Sequence, residues 1–262
     1  MTKTIATYEL IGPGDRVMVA VSGGKDSYTL LDLLSRAQRR APFDFSLVAV
    51  HLDQSQPGYD GSPLRAWLEG SGIEYEILRR DTYSRVIEET PAGKAYCAVC
   101  SRLRRGILYE VAERLGCGVI ALGHHRDDAL ETLLMNLFYA GRLQAMPAGY
   151  TTDNGRFRVI RPLIECAESD IVRWAASAGY PILPCNLCGS QNGLRREAMA
   201  ELLVSLERDN PNVRSVMLNA LRNVSATHLL DRDLIARASS SGEEIEPSAD
   251  KGPRRLPVLR SP

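Results

Sequence analysis

The sequence predicts an α/β protein: an open parallel sheet with helices on both faces, followed by C-terminal helices. Three observations carry that reading. Short apolar runs rich in Val, Ile and Leu, too brief for helices, read as strands buried on both faces. Stretches with apolar residues at helical spacing separate those runs. The first run, Val17-Met-Val-Ala-Val21, also passes through Ser22-Gly-Gly-Lys-Asp-Ser27 directly into one of the helical stretches.

Taken in order, residues 1–15 are a lead-in that turns at Gly12-Pro-Gly14. Val17 to Val21 is the first strand. Leu30, Leu31, Leu33 and Leu34 give the next helix its apolar face, and Arg39-Arg40-Ala-Pro42 ends it. Phe45 to Leu52 is a second buried strand, followed by Asp53 and a Gly/Pro/Ser-rich loop through Pro63. Strand, helix, strand in that order implies a parallel pair with a right-handed crossover. Leu64 to Glu69 is a short helix, and Ile73 to Leu78 alternates like a half-buried edge strand. Arg102 to Leu115 is helical, Gly118 to Gly123 is a buried strand, and Ala129 to Tyr139 is helical again.

Asp153-Asn-Gly155 marks a hairpin-like turn. Val159-Ile160 then leads into Arg161-Pro-Leu-Ile164, read as the last core strand. Glu168 to Ala178 is a helix with Trp174 on its apolar face, broken at Gly179 to Pro184. Residues 194–208 and 212–224 are amphipathic helices around Asn210-Pro211, and from Ser239 the composition is that of a disordered tail. The expected division is a nucleotide-binding domain over 1–184 with an inserted Cys-x-x-Cys helix region, a cysteine motif and helical segment over 185–238, and a tail over 239–262.

Composition narrows the function classes. The chain has 262 residues, and its 32 Lys plus Arg balance 32 Asp plus Glu. A neutral body does not coat nucleic acid by charge alone, so RNA contacts must come from local patches. No run approaches the length of a membrane span, and Met1 to Leu10 lacks the layout of a signal peptide. A cytoplasmic protein without membrane contact is expected. Four of the six cysteines form two Cys-x-x-Cys pairs, which in a reducing compartment point to metal or redox chemistry.

The chemistry begins at Ser22, Gly23, Gly24, Lys25, Asp26 and Ser27. Glycines let backbone N–H groups approach a ligand, the following helix aims its positive end there, and Lys25 adds a full charge. This is an anion site suited to phosphate, with spacing unlike the common Walker loop. Two further strand ends should line the same crevice: His51-Leu-Asp53, and Gly123-His-His-Arg-Asp-Asp128 at a helix start. Asp127 and Asp128 have the chemistry to hold Mg²⁺ against a triphosphate; Asp128 as a helix cap, and His124 and His125 as structural loop residues, are the alternatives. Cys97-Ala-Val-Cys100 and Cys185-Asn-Leu-Cys188 suit a four-cysteine zinc site or an iron–sulfur cluster. Cys117 and Cys166 read as small packing residues. Arg102, Arg104, Arg105, Arg195 and Arg196 flank the cysteine motifs and are candidate RNA-phosphate contacts, or else a solvated helix face.

Ser22-Gly-Gly-Lys-Asp-Ser27 resembles the PP-loop of the ATP pyrophosphatase superfamily, whose fold is adenine nucleotide alpha hydrolase-like. Together with Cys97-Ala-Val-Cys100, Leu122-Gly-His-His-Arg-Asp-Asp128, Arg161-Pro-Leu163 and Pro184-Cys-Asn-Leu-Cys-Gly-Ser-Gln191, the chain from about residue 5 to Asp233 resembles the tRNA-cytidine 2-sulfurtransferases. That resemblance implies ATP-dependent thiolation of cytidine 32 in tRNA anticodon loops, a [4Fe–4S] cluster, and a homodimer. By motif position it implies Cys97, Cys100 and Cys188 as cluster ligands, with Cys185 outside the set. Lys25, Asp26 and Asp128 take the catalytic positions. Ser22, Gly23, Gly24, Lys25, Asp26, Ser27, His51, Gly123 and Asp127 take ATP and Mg²⁺. The implied partners are tRNA and a sulfur donor system such as a cysteine desulfurase. Another PP-loop tRNA ligase with structural zinc, and a non-catalytic RNA-binding module, are the competing readings.

Overall fold

A computed structural model describes residues 1–91, 96–183 and 191–240; the side chains of 97, 98, 191–194 and 238–240 lie outside the description. In chain order the elements are α1 (Thr2–Thr7), β1 (Arg16–Ala20), α2 (Lys25–Gln38), β2 (Ser46–Asp53), α3 (Ser62–Ser71), β3 (Glu74–Arg79), α4 (Thr82–Glu89) and α5 (Cys97–Arg114). They continue as β4 (Val119–Ala121), α6 (Arg126–Met135) with a π-helical turn at Asn136–Ala140, β5 (Gly149–Thr151), β6 (Arg158–Ile160) and α7 (Glu168–Ala178). Last come α8 (Gln191–Asp209), α9 (Val213–Ala220) and α10 (Arg232–Ser240).

The strands form one sheet in the order β3-β2-β1-β4-β6-β5. Every pair is parallel except β5–β6. β1 lies at the centre, Val17 to Val19 are fully buried, and the chain leaves it toward β2 on one side and β4 on the other. That reversal of direction is where open α/β sheets leave a crevice. Alternation along each strand divides the core between two faces. Val17, Val19 and Ala49 pack with Leu30, Leu31 and Leu34 of α2, with Leu64 and Leu68 of α3, and with Ile171 and Ala175 of α7. Met18, Val48, Val50 and Ile120 pack with Val111 and Ala112 of α5. Each fully buried leucine of α2 contributes roughly 1.5–3 kcal/mol.

The expected strands and helices are present, with five differences. The last core strand ends at Ile160 rather than Ile164. Pro162 has no N–H for a ladder, and Ile164 N–H instead donates to Arg161 O (3.0 Å) to close a turn. The hairpin turn at Asp153-Asn-Gly155 joins β6 to an antiparallel partner, β5, so the sheet is not wholly parallel. The lead-in holds α1, whose Thr4 hydroxyl donates to Glu165 Oε2 (2.9 Å). α4 follows β3, capped by Asp81, which accepts from Ser84 N–H (3.0 Å). Helix α10 carries ordered backbone through Ser240, so the tail expected from Ser239 begins inside a helix; residues 241–262 lie outside the described residues.

The chain forms two compact units, Met1–Leu218 and Asn219–Pro262. In the second, a 3₁₀ turn at Ala226–His228 precedes α10, and Ser225 Oγ bonds His228 Nδ1 at 2.7 Å. No helix among the described residues is long and apolar enough to cross a membrane.

Candidate active site

The loop after β1 is held by its own hydroxyls. Ser27 Oγ accepts from Ser22 N–H (3.1 Å), lies 3.2 Å from Ser22 Oγ, and donates to Gly24 O (2.9 Å). Gly24 starts α2 without a side-chain cap, which leaves first-turn amides for a ligand. Gly23 has φ +86°, a left-handed conformation that favours glycine. A Cβ there would stand 2.8 Å from Leu183 Cδ1, and Leu183 N–H donates to Gly23 O (2.9 Å). The segment after α7 thus lies directly on the loop.

Lys25 Nζ sits between Asp26 Oδ1 (3.1 Å) and Glu168 Oε1 (2.9 Å). Partial burial opposes its charge, but the bonds to Glu168 and Asp26 prevail and hold its pKa above the usual lysine value. Asp26 Oδ1 is buried and engaged by the Lys25 ion pair, with His125 Nε2 at 3.7 Å.

The β4–α6 loop meets α2 closely. A Cβ on Gly123 would lie 3.1 Å from Asp26 C and 3.2 Å from Ser27 N, both backbone. His125 caps α6, and Asp128 completes a capping box by accepting from His125 N–H (3.0 Å). Capping is therefore part of what Asp128 does, although it also lines the crevice. Asp127 does not. Its buried carboxylate accepts from Glu168 N–H (2.8 Å), Arg214 Nη1 (2.6 Å) and Arg126 Nη2 (3.3 Å). These partners tie α6 to α7 and α9 and hold its pKa low despite burial.

His51 is 4% exposed and occupied at both ring nitrogens: Nδ1 pairs with Val21 O (2.7 Å) and Nε2 with the Tyr59 hydroxyl. It braces two strand ends rather than facing the crevice.

A cavity of about 490 Å³ opens at the carboxyl ends of β1, β2 and β4. Ser22, Asp26, Ser27, Gly123 and Asp128 line one part of it; Gln54, Ser101, Arg104, Arg105, Tyr150 and Arg161 line the rest. Of the arginines expected on RNA, Arg104 and Arg105 thus face the cavity. Arg196 lies 3.7 Å from Asp128 Oδ1 and 3.5 Å from Glu131 Oε2. Arg195 stacks over Tyr139 (4.9 Å), and Arg102 pairs with Glu89 (2.7 Å). Cys100 Sγ lies 3.6 Å from the cavity-lining Gln54 Oε1. Cys97 opens α5 with its side chain outside the description, and Cys185 and Cys188 lie outside the described residues.

Sequence reasoning missed Glu168, Arg161 and Glu131. Glu168 stands at the helix start that was identified, but its reach to Lys25 is a tertiary fact. Arg161 was seen only as part of Arg161-Pro-Leu163. Glu131 is 9% exposed, and burial holds its carboxyl up at about 7, with Arg196 opposing.

A PP-loop domain model matches residues 3–182. A protein of Coxiella burnetii called tRNA-cytidine(32) 2-sulfurtransferase is 52% identical over 88% of this chain and 91% of its own length. One of the same name from Anaeromyxobacter sp. is 52% identical over 92% of this chain and 79% of its own. Among solved structures, the U34-tRNA thiolase NcsA from Methanococcus maripaludis with its [4Fe–4S] cluster has a TM-score of 0.66 at 22% identity, over 86% of this chain and 78% of that one. The last likeness shows a shared fold. With its phosphate loop, strand-end crevice and half-sequence identity to these relatives, the chain belongs to the tRNA-cytidine(32) 2-sulfurtransferase family of PP-loop enzymes.

Proposed function

We propose that this enzyme thiolates C2 of cytidine 32 in tRNA anticodon loops at the expense of ATP, through an adenylated cytidine, giving 2-thiocytidine, AMP and pyrophosphate. Family membership supports tRNA thiolation as the reaction class. The observation that carries the finer reading is the cavity itself: phosphate loop, carboxylates and Arg104–Arg105 surround one space at the sheet's reversal point.

In this reading Ser22 to Ser27 seat the triphosphate, with Lys25 and the α2 amides offsetting its charge. The cytosine C2 oxygen attacks the α-phosphorus, the α–β bridge breaks, and pyrophosphate leaves. Reduced sulfur then displaces the adenylated oxygen at C2 as AMP. An unstacked loop base reaches such a cavity more readily than a base in a duplex.

Mg²⁺ fits Asp26 and Asp128, whose carboxylates both line the cavity; Asp26 would exchange part of its pairing with Lys25 for the ion. Asp127 does not fit, its oxygens being engaged by Arg214, Arg126 and Glu168 N–H. When bound, Mg²⁺ supplies charge compensation at the phosphates. A [4Fe–4S] cluster on Cys97, Cys100 and Cys188 suits the thiolate donors, and the Cys100 thiol beside cavity-lining Gln54 and Ser101 is consistent with it. When bound, it supplies a sulfur-handling metal centre. A homodimer and a sulfur donor such as a cysteine desulfurase belong to the same proposal.

Nucleoside analysis of tRNA from cells lacking the protein tests it: 2-thiocytidine is absent on this reading and unchanged if the substrate is another base. Anaerobic purification separates it from a PP-loop ligase with structural zinc. Brown, iron-containing protein supports thiolation, and colourless zinc-loaded protein supports the ligase.

A further inference from the structure

Arg161 directly follows β6, lines the cavity and is 8% exposed. Nη1 donates to Pro147 O (3.0 Å), and the guanidinium carbon stands 5.4 Å from the centre of the Tyr150 ring. Its Nε is buried and has no hydrogen-bond partner. Among the described residues no ion pair joins it to a carboxylate; Asp128 acts on it only at longer range, beside the Tyr150 and Tyr109 hydroxyls. A carbonyl and an aromatic face orient a guanidinium but do not neutralise it. A buried unpaired cation costs several kcal/mol, so a fold that keeps one beside a cavity is organised for an anion that arrives with a ligand.

His124, in the loop after β4, lines the same cavity, and its Nδ1 is likewise buried without a partner. Burial pushes its pKa down to about 4, so the ring is neutral at physiological pH. Asp128 acts on both His124 and Arg161 through space, but its carboxylate already accepts from His125 N–H and lies 3.7 Å from Arg196. Both residues line the cavity, so it holds a permanent cation and a neutral ring apart from the phosphate loop's own donors.

We infer that Arg161, with His124 beside it, forms a phosphate-binding site of its own, which holds the α-phosphoryl group of the nucleotide while the loop at Ser22–Ser27 holds the outgoing pyrophosphate. The occupant is a mononucleotide phosphate rather than a tRNA backbone phosphate. A side chain this deeply buried is reached by a small ligand inside the cavity and not by a polymer passing over its mouth. A planar guanidinium also suits bidentate contact with two phosphoryl oxygens. The inference rests on the ATP-dependent reading above.

The test uses the full-length protein, titrating AMP, inorganic pyrophosphate and tRNA separately against wild type, Arg161→Lys and Arg161→Gln, with melting curves on each. Arg161→Lys keeps the charge and guards against loss of fold. The expected result is AMP affinity lower by about tenfold or more in Arg161→Gln and by less in Arg161→Lys, with pyrophosphate and tRNA affinities within about twofold of wild type. Unchanged AMP affinity in a folded Arg161→Gln overturns the inference. So does a fall in tRNA affinity with AMP affinity retained, which would assign the arginine to the RNA backbone. Failure of the wild type to bind any nucleotide would instead sink the ATP-dependent reading.

Discussion

Lys25 Nζ lies 2.9 Å from Glu168 Oε1, so the phosphate loop after β1 is tied to the first turn of α7. The same lysine reaches Asp26 on its own helix, and Glu168 N–H in turn bonds the buried Asp127 of α6. Three helix starts therefore meet around one ammonium group. The arrangement keeps Lys25 charged and aimed before any phosphate arrives.

Replacing Glu168 with Gln removes the charge but keeps a hydrogen-bonding side chain. Pyrophosphate release should fall several-fold, whereas Lys25→Ala abolishes it. Because Glu168 is partly exposed, stability should move by less than about 1 kcal/mol. A variant with wild-type turnover would show that Lys25 needs no help in orientation.

Gly123 faces the backbone of Asp26 and Ser27 at 3.1–3.2 Å from a would-be Cβ. Since backbone yields less than side-chain tips, Gly123→Ala should cost about 1–3 kcal/mol and raise KM for ATP. Calorimetry and ATP titration read the two effects; an unchanged KM would mean that the start of α2 had not moved.

Asp127→Asn should lower stability by about 3 kcal/mol, because it discharges one partner of the buried pair with Arg214, whose side chains are 5% and 12% exposed. Chemical denaturation measures this. If the variant instead keeps its stability and loses Mg²⁺ dependence, the carboxylate is a metal ligand after all.

Glu131 titrates near 7 when folded, against 4.5 for the ordinary carboxyl, because burial disfavours its charge. The folded state binds this proton more tightly than the unfolded chain does. Its contribution to stability is complete below pH 4.5 and is lost as pH rises through 7. Glu131→Gln should therefore be more stable than wild type at pH 8, by up to about 3 kcal/mol, with the gap closing toward pH 4.5. Melting curves across that range give the answer; a variant less stable at pH 8 would show that the contact with Arg196 outweighs burial.

For the cysteines, Cys188→Ala should lose iron and visible absorbance while Cys185→Ala largely keeps both, and Lys25→Ala should leave the colour intact. Iron analysis after anaerobic purification decides. Equal loss in the two cysteine variants would overturn the choice of ligands.

Much of this was legible in the chain itself. Val17 to Val21 could only be a buried strand, and Gly-Gly-Lys before a leucine-rich helix marked the anion site. Glu168 to Ala178 matched its helix end to end. What escaped was short or non-local. α1 and α4 have six and eight residues, too few for a clear period. β5 has three residues and exists through its partner β6. Asp127 and Asp128 look alike in sequence, and only the fold shows that one faces Arg214 and the other the cavity. Arg161 was visible as a motif letter, but its lack of a carboxylate depends on every element around it.

The contact between Gly23 and Leu183 has a mechanical consequence. The chain departs for its second cysteine pair from a point bonded to the phosphate loop, Leu183 N–H to Gly23 O at 2.9 Å. On the proposed reading, a movement of the loop during turnover would be transmitted to Leu183, the last described residue before that pair.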